Sequence, residues 1–429
     1  MKRLFPPALF VLAWLMNAQG QTVLTLDTCL TLAREHSPLL QRAQNRIRST
    51  TLAHEELLTT RLPQLRLAAT PVYAPFGMRF GYDPVLSNGG QIVGQVILQQ
   101  SLYDGGIRSL KSDQLQIDLE RFGKEQRLAD RDLVFSVRQA FIQTLRSQKE
   151  VVLERESVEQ LSDYRNLVKR LYSGGNAGYT DVLKSDLQLS GAKISYQKAS
   201  DDLMVSKYSL AELVGIAIDT SFTVEGSLDS TQITPDSALA ATHPDSTGYL
   251  ELSIADLEMK SSLLDVQVTQ RERWPILSLT ADAGYANSGE NLDLRPSDRY
   301  SAFGFSLGIV LDIPLITWGA TDLRVQQKQV TVDNLRLESN LLRRSIASEM
   351  KKARLQLIRS RDMLHILRGS VKSAEENFLL TESKFAGGGV LSLEVLSAQQ
   401  LLTETRLAEL RTLADIQLLI AKLEQLTTR

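Results

Sequence analysis

One long stretch without proline limits most strongly how this chain can fold. Residues 107–173, between Gly106 and Gly174, contain no proline and a single glycine, and most are strong helix formers such as Leu, Gln, Arg, Glu and Lys. A single helix over this stretch would be about 100 Å long at a rise of 1.5 Å per residue. Because ordinary helices have about 11–12 residues, the stretch predicts a rod built for length.

The same pattern returns farther along the chain. Residues 320–386 again contain no proline and one glycine. The spacing from Gly106 to Gly319, before the two runs, equals the spacing from Tyr172 to Phe385, near their ends. The sequence Leu-Pro-Gln-Leu at 62–65 is echoed by Trp-Pro-Ile-Leu at 274–277, with a spacing only one position shorter. A nearly constant offset over several landmarks predicts a tandem duplication.

The duplication and the turn residues divide the chain into parts. We expect a signal peptide over 1–20, a first repeat over 21–215, a linker or equatorial segment over 216–248 and a second repeat over 249–429. Each repeat is predicted to hold a helix, a β-hairpin, the long helix and a shorter helix. The expected bounds of the last three are 64–103, 107–173 and 180–213 in the first repeat, and 276–313, 320–386 and 391–426 in the second.

The N-terminus has the pattern of an export signal. Met1-Lys2-Arg3 is positively charged, residues 4–16 are apolar, and residues 17–20 include small residues suited to cleavage. A transmembrane anchor is the competing interpretation, but the apolar run is too short to cross about 30 Å as a helix. The sequence therefore predicts an exported protein.

Composition and motif searches argue against several functions. The chain has 48 basic and 50 acidic residues, so no nucleic-acid partner is expected. Its one cysteine, Cys29, excludes an intrachain disulfide and is predicted to be a small buried hydrophobe on the first helix. The four histidines lack metal-ligand spacing, and no nucleotide-binding or nucleophile motif sits between a strand and a helix. We expect no catalytic, cofactor or metal site, and therefore no enzyme.

The long helices carry apolar residues at steps of three, four or seven. In the second copy these are Leu342, Ile346, Ala353, Leu357, Leu364, Leu367, Val371, Ala374 and Phe378. Alternating threes and fours give the 3.5-residue period of a left-handed coiled coil. An ordinary antiparallel bundle remains open as an alternative. Glycines predict where the helices reverse, at Gly174, Gly175 and Gly178 and again at Gly387, Gly388 and Gly389.

The hairpins alternate between apolar and small or polar residues. Their strands have about 9–12 residues, which suits a strand crossing an outer membrane at a tilt. A soluble sheet with one face on a core would give the same alternation. The apolar residues of the helices are expected to pack on one another, however, which leaves no element to cover an apolar sheet face. The alternation in the hairpins therefore favours a barrel wall with one face toward lipid. The residues predicted on that face include Leu277, Leu279, Phe303, Phe305 and Leu307.

Barrel closure then requires more than one chain. Two hairpins supply four strands, whereas small barrels need about eight. Open strand edges are not tolerated in lipid, so several chains must share one barrel. Three copies would give twelve strands, although the sequence pattern does not fix the number three.

Together these features resemble the TolC family of outer-membrane efflux proteins, over essentially the whole mature chain. The resemblance rests on Leu-Thr-Leu-Asp from Leu24 and on Leu-Tyr-Asp-Gly-Gly at 102–106. It rests too on the Leu-Pro-x-Leu entry to the first strand of each hairpin, which is intact at 62–65 and appears as Trp-Pro-Ile-Leu at 274–277. It also rests on an aromatic-x-Gly-Gly turn followed by Thr-Asp-Val-Leu at 180–183 and, in the second copy, by Leu-Glu-Val-Leu at 393–396.

The resemblance implies a mainly α-helical fold with membrane β-structure. Tandem helix–hairpin–helix–helix units would form a homotrimer with a twelve-strand β-barrel in outer-membrane lipid. A twelve-helix coiled-coil tunnel would continue from that barrel into the periplasm. Such proteins are exit ducts of tripartite efflux pumps or type I secretion systems. They work with a periplasmic adaptor (membrane fusion) protein and an inner-membrane RND or ABC transporter. The alternative from another class is a structural coiled-coil protein of the cell envelope.

The resemblance also assigns residues to a gate at the helical turns. Tyr172, Thr180, Asp181, Phe385 and Glu394 would form the periplasmic gate, and the glycines at both turns would be the tips where the adaptor docks. Phe385 has no hydroxyl, so it cannot form the bond to Asp181 that a tyrosine makes in other members. Ser397 and Val390 also depart from the family pattern. For Asp181 and Glu394, the alternative role is to complement the helix dipole.

Overall fold

The structure is a computed structural model that describes residues 23–72, 91–216, 222–228, 249–289, 299–387 and 389–427. The elements of the first half are β1 (Val23–Leu24), α1 (Leu26–His36), α2 (Pro38–Thr59), β2 (Gln64–Val72), β3 (Gln91–Tyr103), α3 (Ile107–Ser173) and α4 (Tyr179–Val214). Those of the second half are β4 (Thr223–Val224), α5 (Leu250–Arg271), β5 (Ile276–Gly289), β6 (Arg299–Asp312), α6 (Ala320–Ala386) and α7 (Ser392–Thr427). The expected signal peptide, 1–20, lies outside the described residues.

The helices repeat with the offset seen in the sequence. The long helices α3 and α6 have 67 residues each, and the shorter helices α4 and α7 have 36 residues each. In both pairs, the first residues of the two helices are as far apart in sequence as Gly106 and Gly319 are, and so are the last residues. The helices before the hairpins, α2 and α5, have 22 residues each and keep a spacing one position shorter. The helical part of the chain is therefore duplicated element by element.

The first helical stretch is broken into two helices. Thr25 caps α1 by a capping box with Thr28, in which the Thr28 N–H donates to Thr25 Oγ1 (3.4 Å) and the Thr25 N–H donates to Thr28 Oγ1 (3.0 Å). Ser37 ends α1 in an extended conformation, and Pro38 starts α2. Proline suits a first helical position because its missing N–H would have no partner there. Cys29 is fully buried on α1, as predicted.

The four long strands form one antiparallel sheet in the order β2-β3-β5-β6. Leu98 on β3 pairs with Leu65 and Ala281, and Ala281 pairs with Leu307, so these four side chains share one face. The next row, on the opposite face, consists of Arg66, Ile97, Asp282 and Ser306. One face is therefore apolar and the other mixed with polar residues. β2 and β6 are the two ends of the described sheet.

A second, two-stranded sheet joins the N-terminus to the segment between the repeats. β1 pairs with β4 in parallel, with Val23 opposite Thr223. Beyond β4, Gly226 lies so close to Phe141 and Leu145 that an added Cβ would be 3.3 and 3.2 Å from their side chains. Residues 222–228 of the expected linker thus have local structure and are packed on α3.

The described residues belong to two compact units that cut across the repeats. The tip unit has the described parts of Met1–Ser37, Leu133–Leu239 and Ala353–Gln425. The sheet unit has those of Pro38–Asp132, Ala240–Lys352 and Leu426–Arg429. Each unit takes segments from both repeats, so a repeat of the sequence does not form a compact unit by itself.

In the tip unit, each helix contacts the next in the order α4–α3–α7–α6. Polar contacts join each pair: Arg165 to Asp186 (2.7 Å), Gln399 to Ser157 (2.9 Å) and Arg406 to Glu375 (2.7 Å). From Ala353 onward, the predicted apolar residues of α6 belong to this unit, and Ala353, Leu357, Leu364, Ala374 and Phe378 are buried.

In the sheet unit, the corresponding order is α2–α3–α5–α6. Neighbouring helices are joined by Arg46 with Glu125 (3.1 Å), Arg131 with Glu251, and Lys328 with Asp265 (2.6 Å). A small core here contains Leu252, Ile346, Met350 and Leu426. In both units α6 is therefore the last helix of a row of four.

Candidate functional site

The candidate site begins with the turn between α3 and α4 in the tip unit. α3 ends at Ser173, and the Asn176 N–H donates to the Leu171 carbonyl (2.8 Å) to close the turn. Gly175 has φ 79°, the left-handed conformation that glycine adopts most easily. Gly174 is not left-handed, and Gly178 caps α4 from an extended conformation (φ −84°). Only one of the three predicted glycines therefore supplies the reversal.

The second turn, between α6 and α7, is closed differently. The Gly387 N–H donates to the Ser383 carbonyl (3.4 Å), and the Gly389 N–H donates to the Lys384 carbonyl (2.9 Å). Neither Gly387 nor Gly389 has a positive φ. Gly388 lies outside the described residues.

The two candidate gate carboxylates lie at the starts of the helices after these turns. Asp181 Oδ2 accepts a hydrogen bond from the Gly178 N–H (3.2 Å), and Glu394 Oε1 accepts one from the Leu391 N–H (3.5 Å). Each acid sits in the first turn of its helix, where negative charge complements the helix dipole. Both side chains thus have a capping role. A role toward a pore stays a prediction.

The remaining candidate gate residues have different surroundings. Phe385 is buried in the core of the tip unit, and its ring centroid lies 5.4 Å from that of Tyr164. Tyr172 and Tyr179 are exposed, and their ring centroids are 5.9 Å apart. Thr180 is also exposed. The structure therefore places Tyr172 and Thr180 on the surface of the tip unit and Phe385 in its core.

A contact that sequence reasoning missed ties α3 to the start of α7. The Tyr164 hydroxyl donates to Ser392, with distances of 2.8 Å to Oγ and 3.2 Å to the carbonyl oxygen. Burial raises the pKa of Tyr164 to about 12, and the negative charge of Asp181 acts in the same direction. The available signal was the spacing of Leu161, Tyr164 and Val168, which places a polar aromatic on the seam of α3.

Arginine–carboxylate pairs hold the helices of the tip unit in their order. Glu150 of α3 is nearly buried and accepts a hydrogen bond from Arg411 Nε (2.9 Å) on α7. Arg165 holds the pKa of Asp186 below its usual range through a hydrogen bond between α3 and α4. Burial raises the pKa of Glu154. These groups explain how the helices align but form no chemical centre.

The predicted apolar strand residues do share one face. Leu277 pairs with Leu311 and Leu279 with Ile309, in the same register that sets Ala281 opposite Leu307 and Ala283 opposite Phe305. On β6, Phe303, Phe305 and Leu307 are strongly exposed. On the other face, the Ser306 hydroxyl donates to the Asp282 carboxylate.

Within the described ranges, no group of three or more histidine, cysteine or acidic side chains is placed to hold a metal ion. No helix in the same ranges combines the length and the apolar character needed to cross a membrane.

Comparison with known proteins decides the family. The sequence model of a family described as "Outer membrane efflux protein" matches residues 29–216 and 250–429, which is most of the chain. The chain belongs to this outer membrane efflux protein family. The two matched segments lie on either side of the segment between the repeats.

Individual proteins that resemble this chain are distant from it in sequence. The outer membrane efflux protein BepC of Brucella suis is 19% identical over 323 residues, which is 74% of this chain and 68% of that protein. The outer membrane protein VceC of Vibrio cholerae is 17% identical, with a TM-score of 0.75 over 94% of this chain and 96% of that one. The outer membrane channel CmeC of Campylobacter jejuni is 13% identical, with a TM-score of 0.75 over 94% and 85%.

These comparisons confirm the TolC-like fold that the sequence predicted. The chain is a mainly helical, tandem-repeated protein of the bacterial outer membrane that extends into the periplasm. The family consists of channel proteins, which agrees with the expectation that the chain is not an enzyme. It also disfavours the alternative of a purely structural coiled-coil protein.

Proposed function

We propose that this chain forms a homotrimeric exit duct of a tripartite efflux pump or a type I secretion system. In this proposal a periplasmic adaptor docks at the helical tips and opens the duct for an inner-membrane RND or ABC transporter. The observation that carries the proposal is the sheet: four amphipathic strands with an exposed apolar face and two unpaired ends, β2 and β6, in the described part of the chain.

The directions of the strands support closure by copies of the same chain. All neighbours are antiparallel, so β2 and β6 run in opposite directions. β6 of one copy can therefore pair with β2 of the next and continue the antiparallel pattern. Each unpaired backbone group costs several kcal/mol in lipid, which favours closing every edge.

The helices of the tip unit support the same arrangement. α4 and α6 are the outer two of these four helices, and both expose apolar side chains: Leu187 and Ile194 on α4, and Ile366 and Leu379 on α6. Large exposed apolar surfaces on helices are typical of sites that another chain covers. In the proposed trimer, α6 of one copy packs on α4 of its neighbour.

In this assembly, the helical turns of the three copies would form the periplasmic gate. Asp181 and Glu394 carry negative charge at the two helical turns of each copy, and Tyr172 and Thr180 are exposed at the first of these turns. We place these side chains at the periplasmic entrance and Phe385 in the packing beneath it. The turns at Gly174–Gly178 and Gly387–Gly389 are the proposed adaptor contacts.

Imaging of the full chain extracted from membranes in detergent tests the assembly. The expected particle is a long hollow tube with threefold symmetry in projection. A soluble monomer that needs no detergent would contradict the proposal, because its four strands would then have no lipid and no partner strands to meet.

A further inference from the structure

The contact between α3 and α7 in the tip unit can be compared with its repeated counterpart. α6 repeats α3, and α7 repeats α4, each shifted by the spacing from Gly106 to Gly319. α3 packs on α7 inside the chain, whereas the equivalent pair, α6 and α4, are the outer two helices of the order α4–α3–α7–α6. The contact of α3 with α7 is therefore a template for α6 of one copy packing on α4 of the next.

Burial at equivalent positions supports this template. Ile142 and Leu145 of α3 are buried. Their counterparts on α6, Leu355 and Ile358, are 57% and 46% exposed. The same apolar stripe thus occurs on both long helices but is covered on only one of them. Exposed apolar surface of this kind is typical of a site that another chain covers.

The polar contacts between α3 and α7 fix the alignment of the template. Residue numbers rise along α3 as they fall along α7 from contact to contact, so the two helices are antiparallel. One of these contacts joins Glu150 to Arg411 (2.9 Å). Shifted by the repeat spacing, it becomes Met363 of α6 opposite Lys198 of α4.

One helical turn from that point, opposite charges come into register. Asp201 follows Lys198 by three residues on α4, and Arg359 precedes Met363 by four residues on α6. Antiparallel helices place such positions side by side. Both side chains are exposed in the single chain. Asp201 accepts a hydrogen bond from Gln197 Nε2 (3.0 Å) on its own helix.

The position of Asp201 is deeply buried in the template. Its counterpart on α7 is Ala414, three residues after Arg411, and Ala414 is 1% exposed. A carboxylate covered to that degree needs a cation beside it, because a buried charge without a partner is costly. An arginine in register supplies that charge and can donate two parallel hydrogen bonds to the carboxylate.

We propose that Asp201 of one copy forms an ion pair with Arg359 of its neighbour, inside the apolar contact between α4 and α6. This inference rests on the proposed function, because it takes these helices of neighbouring copies to be in contact. The pair sets the register of that contact. A slip of one turn would bring Asp201 against Leu355 or Met363 and leave both charges without a partner.

Charge reversal tests the pair. Asp201→Arg and Arg359→Asp each place two like charges at the contact, and the double variant restores opposite charges with their signs exchanged. Asp202→Arg is the matched control, because Asp202 is exposed and its counterpart on α7, Asp415, is exposed as well. The full chain is extracted from membranes in detergent and heated stepwise, and size-exclusion chromatography with light scattering measures the trimer that remains.

We expect each single reversal to lower the temperature at which the trimer dissociates and the double variant to recover most of that loss. Asp202→Arg should leave the temperature unchanged. Single reversals without effect, or a double variant no more stable than the single ones, would overturn the pair. If the unmodified chain is not a trimer in detergent, the proposed function itself fails. If it is a trimer and the reversals have no effect, only the present inference fails.

Disulfide formation checks the register without adding a like charge. Oxidation of Asp201→Cys/Arg359→Cys should link the copies covalently, since bridged cysteines have Cα atoms about 4.4–6.8 Å apart. Asp201→Cys/Ile366→Cys is the matched control, because Ile366 lies on the same stripe of α6 about 10 Å farther along the helix. Equal linking in the two variants, or linking in the control alone, would overturn the proposed register.

Discussion

Tyr164 combines a packing role and a polar role within one side chain of the tip unit. Its ring lies against Phe385, and its hydroxyl donates to Ser392 at the start of α7. Because the hydroxyl is buried, the loss of its partner would leave a polar group without compensation. This contact connects the residues on either side of the second helical turn to α3.

Tyr164→Phe should therefore destabilise the tip unit by about 1–2 kcal/mol, since the ring packing stays and only the hydrogen bond is lost. Thermal unfolding in detergent measures the effect. Tyr172→Phe is the matched control, because Tyr172 is exposed and should tolerate loss of its hydroxyl. Equal stability of the two variants would contradict the role given to Tyr164.

The same residue gives a pH dependence. Burial raises the pKa of Tyr164 from 10.0 to about 12, so the folded chain keeps this proton after the unfolded chain has lost it. Stability contributed by Tyr164 is complete below about pH 10 and is lost as the pH rises toward about 12. Tyr164→Phe should remove the part of the stability loss at alkaline pH that comes from Tyr164. Cys29, whose pKa burial raises to about 11, contributes a further stability loss that is the same in the unmodified chain and in the variant.

Glu394 allows its two candidate roles to be separated. Glu394→Gln keeps an oxygen acceptor for the Leu391 N–H but removes the charge, whereas Glu394→Ala removes both. If Glu394 lines the entrance, both variants lower cation selectivity and cation block in single-channel recordings. Unchanged recordings for Glu394→Gln would leave only the capping role.

The sequence could locate these residues but not all their contacts. The 3–4 spacing of Leu161, Tyr164 and Val168 places Tyr164 on a buried seam. Its partner Ser392 lies in the other repeat, and no local pattern connects the two. The first turns of α4 and α7 could be predicted from Asp181 and Glu394, because acids at helix starts follow a local rule.

At the scale of elements, the two faces of the sheet are expected to differ in which substitutions they tolerate. Leu279 and Thr280 are neighbours on β5 whose side chains point to opposite faces of the sheet. If the apolar face meets lipid, Leu279→Arg should cost about 2–4 kcal/mol near the middle of the membrane, while Thr280→Arg should be tolerated toward a wet lumen. Folding yield and unfolding in vesicles measure both. Equal tolerance at the two positions would favour a soluble sheet.

Elements differ in how far local sequence decides them. The long runs of strong helix formers without proline predict a helix over each of α3 and α6, and both are helical along all 67 residues. The pairing of β1 with β4 could not be predicted, because each strand is very short and the two lie in distant parts of the chain. At the first helical turn, composition indicated a reversal, but only the structure identifies Gly175 as the residue with positive φ.

At the scale of the whole chain, the repeats and the compact units are different divisions. The tip unit takes α4 and part of α3 from the first repeat, and α7 and part of α6 from the second. Its row of helices and the four-stranded sheet each have two ends, and apolar side chains at those ends are exposed. In the proposed trimer, copies of the chain cover these ends for one another.

Cross-linking between the two edge strands of the sheet tests most directly whether neighbouring copies pair there. Leu67→Cys on β2 and Leu307→Cys on β6 place one thiol on each edge strand, while the native Cys29 is buried. A flexible bismaleimide applied to membranes of the double variant should give dimers and trimers and nothing larger, and each single variant should give no trimer. A ladder that continues beyond three copies, or monomer alone, would contradict closure of one barrel by three chains.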